Sequence, residues 1–210
     1  MLMNLIVFGA TGSVGLQIVN QALKRGHSVT AFTRAPEKLS SNGHPRLKIF
    51  KGDIFDSLAV EKATRGHDSV FCAIGDGNKG TVRAEGTRNI ISAMKSTGVT
   101  RLICQTTLGL GESRGNLNFL WKYVMFGFLL KKAFNDHELQ EKLLFNSGLE
   151  YTIVRPSAFI DGSITRNYNI GFDGSYKSLD LKIARADVAD FMLQQMETNE
   201  YVKKAVSISN

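Results

Sequence analysis

Short apolar runs alternate along this chain with longer amphipathic ones. Leu5–Phe8, Ser28–Thr33, Leu47–Phe50, Ser69–Ile74, Arg101–Thr106 and Tyr151–Val154 are β-branched or aromatic and bounded by Gly, Asp, Pro or polar residues, the pattern of buried strands. Between them Val14–Arg25, Ser57–Thr64, Val82–Ser96 and Phe119–Asn146 read as helices. In Val82–Ser96 the apolar positions Ile90, Ile91 and Met94 return at helical spacing, and Gly98 supplies a stop. A loop-rich stretch follows Val154, then a helix near Arg185–Met196 and a final strand at Ala205–Ile208. Such repetition implies parallel strands joined by right-handed crossovers, with helices on both faces. No linker, internal repeat or low-complexity tract divides the chain. The expectation is one α/β domain over residues 1–210, Rossmann-type and doubly wound, with a mostly parallel sheet.

The most informative segment is Gly9-Ala-Thr11-Gly12-Ser13-Val14-Gly15, directly after the first strand and before the first helix. Gly9 relieves the steric limit on an abrupt turn, Gly12 lets backbone approach a pyrophosphate, and Gly15 allows the helix to pack closely on the sheet. The exposed N–H groups and positive dipole at the helix start then favour an anion. The spacing is GxxGxxG rather than GxGxxG, and glycine turns also serve geometry alone. The strand-loop-helix context is what argues for a dinucleotide. An NAD site usually carries Asp or Glu at the end of the second strand; here Thr33-Arg34 stands there, followed by Lys38. A guanidinium fork suits the 2′-phosphate of NADP, so NADPH is the expected cofactor. Asp53 and Ile54 are placed to bracket the adenine, although Asp53 could equally cap the helix beginning near Ser57. Ala73-Ile74-Gly75, closing the fourth strand, falls where the crevice of an open sheet is expected.

Composition narrows the rest. The net charge is +7, but the basic residues are spread along the chain and no block of five or six exists to form a nucleic-acid arm. A basic surface with a phosphate pocket is the favoured reading. No apolar run is long enough to span a bilayer. Cys72 and Cys104 lie in strand-like runs without a secretory signal, so they read as core thiols in a cytoplasmic protein. His27, His44, His67 and His137 do not cluster at metal-ligand spacings, and no metal site is expected.

The ordered motifs GATGxxG, a strand ending in Thr-Arg, Gly-Asp-Ile, Glu85-Gly-Thr-Arg-Asn89-Ile and Ser147-Gly-Leu-Glu-Tyr-Thr-Ile-Val-Arg155-Pro156 carry a resemblance. They resemble the atypical short-chain dehydrogenases with an NmrA-like NAD(P)-binding fold, and within them the biliverdin IXβ reductase/flavin reductase group. The likeness runs from residue 3 nearly to the C-terminus and includes Ala93–Val99, Asp136-His137, Asp173-Gly174 and Asp187…Phe191-Met-Leu193. It implies NADPH-dependent reduction of flavins and linear tetrapyrroles. It also implies cofactor roles for Gly9, Thr11, Gly12, Val14, Arg34, Lys38, Asp53, Ile54 and Gly75. The group's serine after the fifth strand aligns with Thr107, and its pocket histidine aligns with Ala158. A histidine proton donor is therefore missing there, which favours a flavin or quinone over a bilin as acceptor.

No tyrosine is followed four residues later by lysine, so alcohol–ketone chemistry on the usual short-chain plan is not expected. Flavins and quinones tolerate the loss, because the proton can come from water while the protein stacks and orients. Thr106 and Thr107 are the hydroxyls expected nearest the nicotinamide, Thr107 as catalytic candidate; β propensity alone would also explain them. Arg155-Pro156 ends the sixth strand at the same sheet edge, where the arginine is a candidate for a phosphate contact. Gly111-Glu-Ser113-Arg-Gly115 matches GxSxG, but no acid-then-histidine order follows it, and a glycine loop or a mobile flap over the substrate is the better reading. Phe119–Leu130, with Trp121, reads first as the buried start of a long helix. Pocket lining for a flat ring comes next, then an oligomer contact or a membrane surface. The substrate region is expected at 107–135 and 155–180. The expected partner is a small planar redox-active molecule, with a monomer slightly favoured. A non-catalytic NADP(H) sensor or an assembly factor is the competing function.

Overall fold

The computed structural model describes residues 1–39, 43–77 and 79–210. Eight strands form one sheet: β1 (Asn4–Phe8), β2 (Ser28–Thr33), β3 (Leu47–Lys51), β4 (Ser69–Cys72), β5 (Arg101–Gln105), β6 (Glu150–Pro156), β8 (Asn169–Ile170) and β10 (Lys204–Ser209). A separate parallel pair joins β7 (Ala158–Ile160) to β9 (Lys182–Ala184). The helices are α1 (Ser13–Lys24), α2 (Ser57–Thr64), α3 (Val82–Thr97), α4 (Lys131–Phe145) and α5 (Arg185–Gln194). The sheet order is β3-β2-β1-β4-β5-β6-β10-β8, parallel except where β8 runs against β10. This is the doubly wound α/β architecture, and its order reverses between β1 and β4, where such sheets open a crevice.

Alternation within single strands builds two cores. Leu5 and Val7 of β1 face α1 and α5 together with Ile18, Val188 and Met192, while Ile6 and Phe8 face the opposite layer with Val60, Ile90 and Leu144. Because both faces are covered, the central strands read as continuous apolar runs. At about 25 cal/mol per Å² of apolar surface removed from water, these layers are the dominant stabilising term. A third, small cluster of Leu108, Leu117 and Leu181, with Trp121 and Phe126 packed against it, lies beyond the strand ends.

Most boundaries shift by only a residue or two from the sequence reading; β4 stops at Cys72, so Ala73–Gly75 form the loop after it. The larger correction concerns Phe119–Asn146. It is two elements: a wide π-helical segment, Leu120–Leu129, and then α4, with Leu130 at the junction. The wide segment has no buried residue, so the expectation of a buried helix start is overturned. Its apolar residues surround the axis, and the protein covers only one side. Gly111–Asn116 is a 3-10 turn tied down rather than a loose flap. Ser113 is buried, donating to the Leu110 carbonyl and accepting from the Gly109 N–H, and Asn116 donates to the carbonyls of Asp173 and Tyr176.

Candidate functional site

The glycine loop turns where β1 meets the end of β4. Gly9 sits at φ +83, and a Cβ on it would come within 2.4 Å of the Ala73 carbonyl oxygen. A Cβ on Gly15 would lie 2.1 Å from the Gly9 carbonyl oxygen, so the first turn of α1 fits over the loop only without one. Gly12 has an ordinary φ of −72 and is exposed. A side chain there would project over the loop that the other two glycines shape. Thr11 and Thr33 share a hydrogen bond of 3.2 Å that ties the loop to the end of β2.

The helix starts differ in charge. Asp56 caps α2 by accepting from Leu58 and Ala59, so the capping role considered for Asp53 belongs to Asp56. Asp136, buried on α4, caps α3 by accepting from the N–H groups of Arg83 and Ala84, 3.0 Å each. Helix α1 has neither a side-chain cap nor an acidic residue in its first turn. Its orphan N–H groups and the dipole leave an unneutralised positive site. A glycine cradle and an uncapped helix start fit a pyrophosphate.

Two hollows meet at this loop. One, of about 210 Å³, runs past Gly9, Thr11, Arg34 and Ile54. The other, of about 550 Å³, takes in Ser13, Val14, Thr106, Thr107 and Pro156, with Trp121 and Ala158 on its far wall. Gly12, Ala73, Ile74 and Gly75 line both, so the pair forms one continuous trough. Arg34 is exposed and stands 3.9 Å from Asp53, whose other oxygen accepts from the Phe55 N–H. Lys38 is exposed on a 3-10 turn that borders neither hollow.

Arg155 is a correction. Its guanidinium is 2% exposed, donating twice to Glu141 (2.8 and 2.7 Å) and once to Glu112 (2.6 Å). Burial works against its charge, but the bonds and charges of Glu141 and Glu112 more than offset that and raise its pKa. Three of its donors go to carboxylates and it lines neither hollow, which argues against the phosphate contact expected of it. Glu141 also accepts from the Thr106 hydroxyl at 2.8 Å, which turns that group away from the trough. Thr107 keeps its place on the trough wall, with its hydroxyl near the Leu108 carbonyl at 3.3 Å.

His137 lines the larger hollow, a place that neither its motif nor its distance from the other histidines signals in the sequence. The Gln140 amide donates to Thr87 (2.9 Å) and towards Cys104, so its oxygen faces His137 Nδ1 at 3.0 Å. That assigns the proton to Nδ1 and leaves Nε2 an acceptor. Burial first, and then the charge of Arg83, push its pKa down to about 3. The ring is therefore neutral at physiological pH. The signal that could have found it is a histidine one helical turn before a glutamine on a helix face otherwise turned inward.

The sheet order and the loop define a Rossmann-type dinucleotide-binding protein. A family model described as NAD(P)H-binding matches residues 9–199, and the chain belongs to that family. The chain is 35% identical over 112 residues to a 3-beta-hydroxysteroid dehydrogenase of Mycolicibacterium neoaurum, a match covering 47% of this chain and 30% of that one. The chain spans 30% to 61% of the length of the first curated relatives it matches. Among solved structures it shares the fold of a short-chain dehydrogenase/reductase from Veillonella parvula in complex with NADP (TM-score 0.86, 16% identity, 100% and 95% of the two chains). It also shares that of ChuY, described as an anaerobillin reductase from Escherichia coli (TM-score 0.83, 24% identity, 98% and 96%). Among the described residues no helix is long and apolar enough to cross a membrane, and no cluster of metal-ligating side chains occurs.

Proposed function

We propose that this protein is an NADPH-dependent reductase that passes hydride to a small planar acceptor: a flavin, a quinone or a linear tetrapyrrole. The observation that carries the reading is the continuous trough, a narrow end at Arg34 and a wide, aromatic-walled end at Trp121, joined at the glycine loop. Bound NADPH supplies the hydride. Gly9, Gly12 and the first turn of α1, from Ser13 to Gly15, hold the pyrophosphate, with Thr11 fixing the loop. Arg34, released from Asp53, takes the 2′-phosphate with Lys38 nearby, and Asp53 and Ile54 flank the adenine. Ala73–Gly75 and Pro156 back the nicotinamide end. The substrate region is drawn from 107–135 and 155–180, with Trp121 stacking the acceptor and Ala158 leaving it room.

Among the described residues no carboxyl group lines the trough, His137 is held neutral and Thr107 is a hydroxyl. The protein's work is to orient and exclude water, and the accompanying proton comes from solvent. That favours acceptors whose reduced form is stabilised by its own ring system. The fold shared with a protein described as an anaerobillin reductase keeps linear tetrapyrroles in the set.

The test is NADPH oxidation with FMN, a quinone and biliverdin offered in parallel, repeated with NADH and with Arg34→Glu. Turnover with NADPH is expected, and the variant should raise KM for NADPH about ten- to hundredfold, the worth of a hydrogen bond to a charged group. Tight NADPH binding with no acceptor reduced would replace the reductase by a non-catalytic sensor.

A further inference from the structure

The wide helical segment Leu120–Leu129 is apolar on both sides, and the protein covers one of them. Trp121, Phe126 and Leu130 turn inward to wall the trough, and the Phe126 ring packs tilted against Phe134, centroids 4.7 Å apart. The other side carries Phe119, Tyr123 and Phe128, exposed at 73%, 60% and 79%, with Leu120, Val124 and Leu129 beside them. The exposed pairs 119/120, 123/124 and 128/129 recur at steps of four and five, which the wider π-helical turn places on one face. A contiguous patch of this kind marks an interaction surface rather than scattered surface hydrophobics.

Charge indicates what covers it. From Ser113 to Asn135 the chain contains Arg114, Lys122, Lys131 and Lys132 and no acidic residue. Lys131 and Lys132 are exposed at the end of the segment, and among the described residues none of the three lysines has a carboxylate partner. A second copy meeting this face about a two-fold axis would bring only further cations to it, because the stretch holds no carboxylate to pair with them. An anionic lipid surface accepts aromatic side chains at the headgroup level and neutralises the lysines in the same contact.

We infer that this face docks the protein on anionic membranes, with Phe119, Tyr123 and Phe128 entering the interface and Lys131 and Lys132 at the lipid phosphates. The docking helix is also the wall of the trough. Resting on the reductase reading, this favours a lipid-soluble quinone, the acceptor class that a docked protein meets at the bilayer.

The experiment is co-sedimentation of the full chain with vesicles of phosphatidylcholine, alone or mixed with phosphatidylglycerol, at low and high salt. Binding to the mixed vesicles that weakens with salt is expected. Lys131→Ala with Lys132→Ala should weaken it about thirtyfold, roughly fivefold for each lysine near the surface. The triple variant Phe119→Ser, Tyr123→Ser, Phe128→Ser should lose it while still binding NADPH in solution, which shows that the variant is folded. Sedimentation that ignores lipid charge, or that survives the triple variant, overturns the proposal. So does a concentration-dependent dimer without vesicle binding, which would assign the face to a second copy. Turnover is read separately with a long-tailed quinone in the vesicles. Binding without turnover keeps the docking and removes the quinone as acceptor; the reductase reading itself falls only if FMN and biliverdin also fail in solution.

Discussion

Replacing Glu141 with Gln tests how the buried arginine is held. Glu141 and Arg155 have side chains 5% and 2% exposed, and the carboxylate accepts three hydrogen bonds, two from Arg155 and one from Thr106. The amide keeps the shape but turns an N–H₂ donor towards a donor and removes the only buried counter-charge. Glu112 remains on Arg155, but its side chain is 67% exposed and solvent weakens it. Breaking a buried pair from one side costs about 3–5 kcal/mol, and Glu112 places this case near the lower end, about 3 kcal/mol. For a chain of this size that lowers Tm by roughly 6–12 °C. Urea unfolding should show a lower midpoint with an unchanged slope. The double variant Glu141→Leu, Arg155→Met should recover most of the loss, because a well-packed apolar pair often equals a buried ion pair. A loss below about 1 kcal/mol in Glu141→Gln, or a double variant as unstable as the two single changes added together, would refute the reasoning.

His137 gives a pH signature. Its folded pKa of about 3 lies below the unfolded 6.5, so below pH 6.5 the unfolded chain takes up the proton and stability falls as pH drops. Between pH 7 and 5 the loss from this group is about 2 kcal/mol, and His137→Gln should lose that much less in paired urea titrations. Gly12→Val should separate binding from folding. The φ of −72 suits a side chain, but its Cβ would lie 3.2 Å from the Gly9 carbonyl oxygen, so the free chain should lose only about 1 kcal/mol while NADPH affinity measured by fluorescence falls tenfold or more, about 1.4 kcal/mol.

What could be read in the sequence was what short-range chemistry decides. The glycine loop, the strand before it and the helix after it are adjacent in the chain, and Gly9 and Gly15 have the steric reasons their spacing suggested. The apolar strands were legible because burial on both faces leaves no alternation to decode. The misreadings arose where a residue's partner is distant. Arg155 stands at a strand end like a phosphate ligand, and only the packing of α4 on β6 shows that Glu141 holds it. Asp53 and Asp56 are equally plausible caps until backbone geometry chooses. Phe119–Asn146 is apolar in both halves, and periodicity cannot say which face the protein leaves bare. The two-residue β8 exists only because β10 lies alongside, and nothing in Asn169–Ile170 signals it.

Helix α1, alone among the first three helices, begins without a carboxylate. On the proposed function its missing terminus is supplied from outside the chain, and the dinucleotide becomes in effect a detachable piece of the secondary structure. At a cofactor concentration a hundred times its Kd, occupancy adds about 2.7 kcal/mol to the folded state. The lifetime of the protein in a cell would then track its total dinucleotide supply, oxidised and reduced alike.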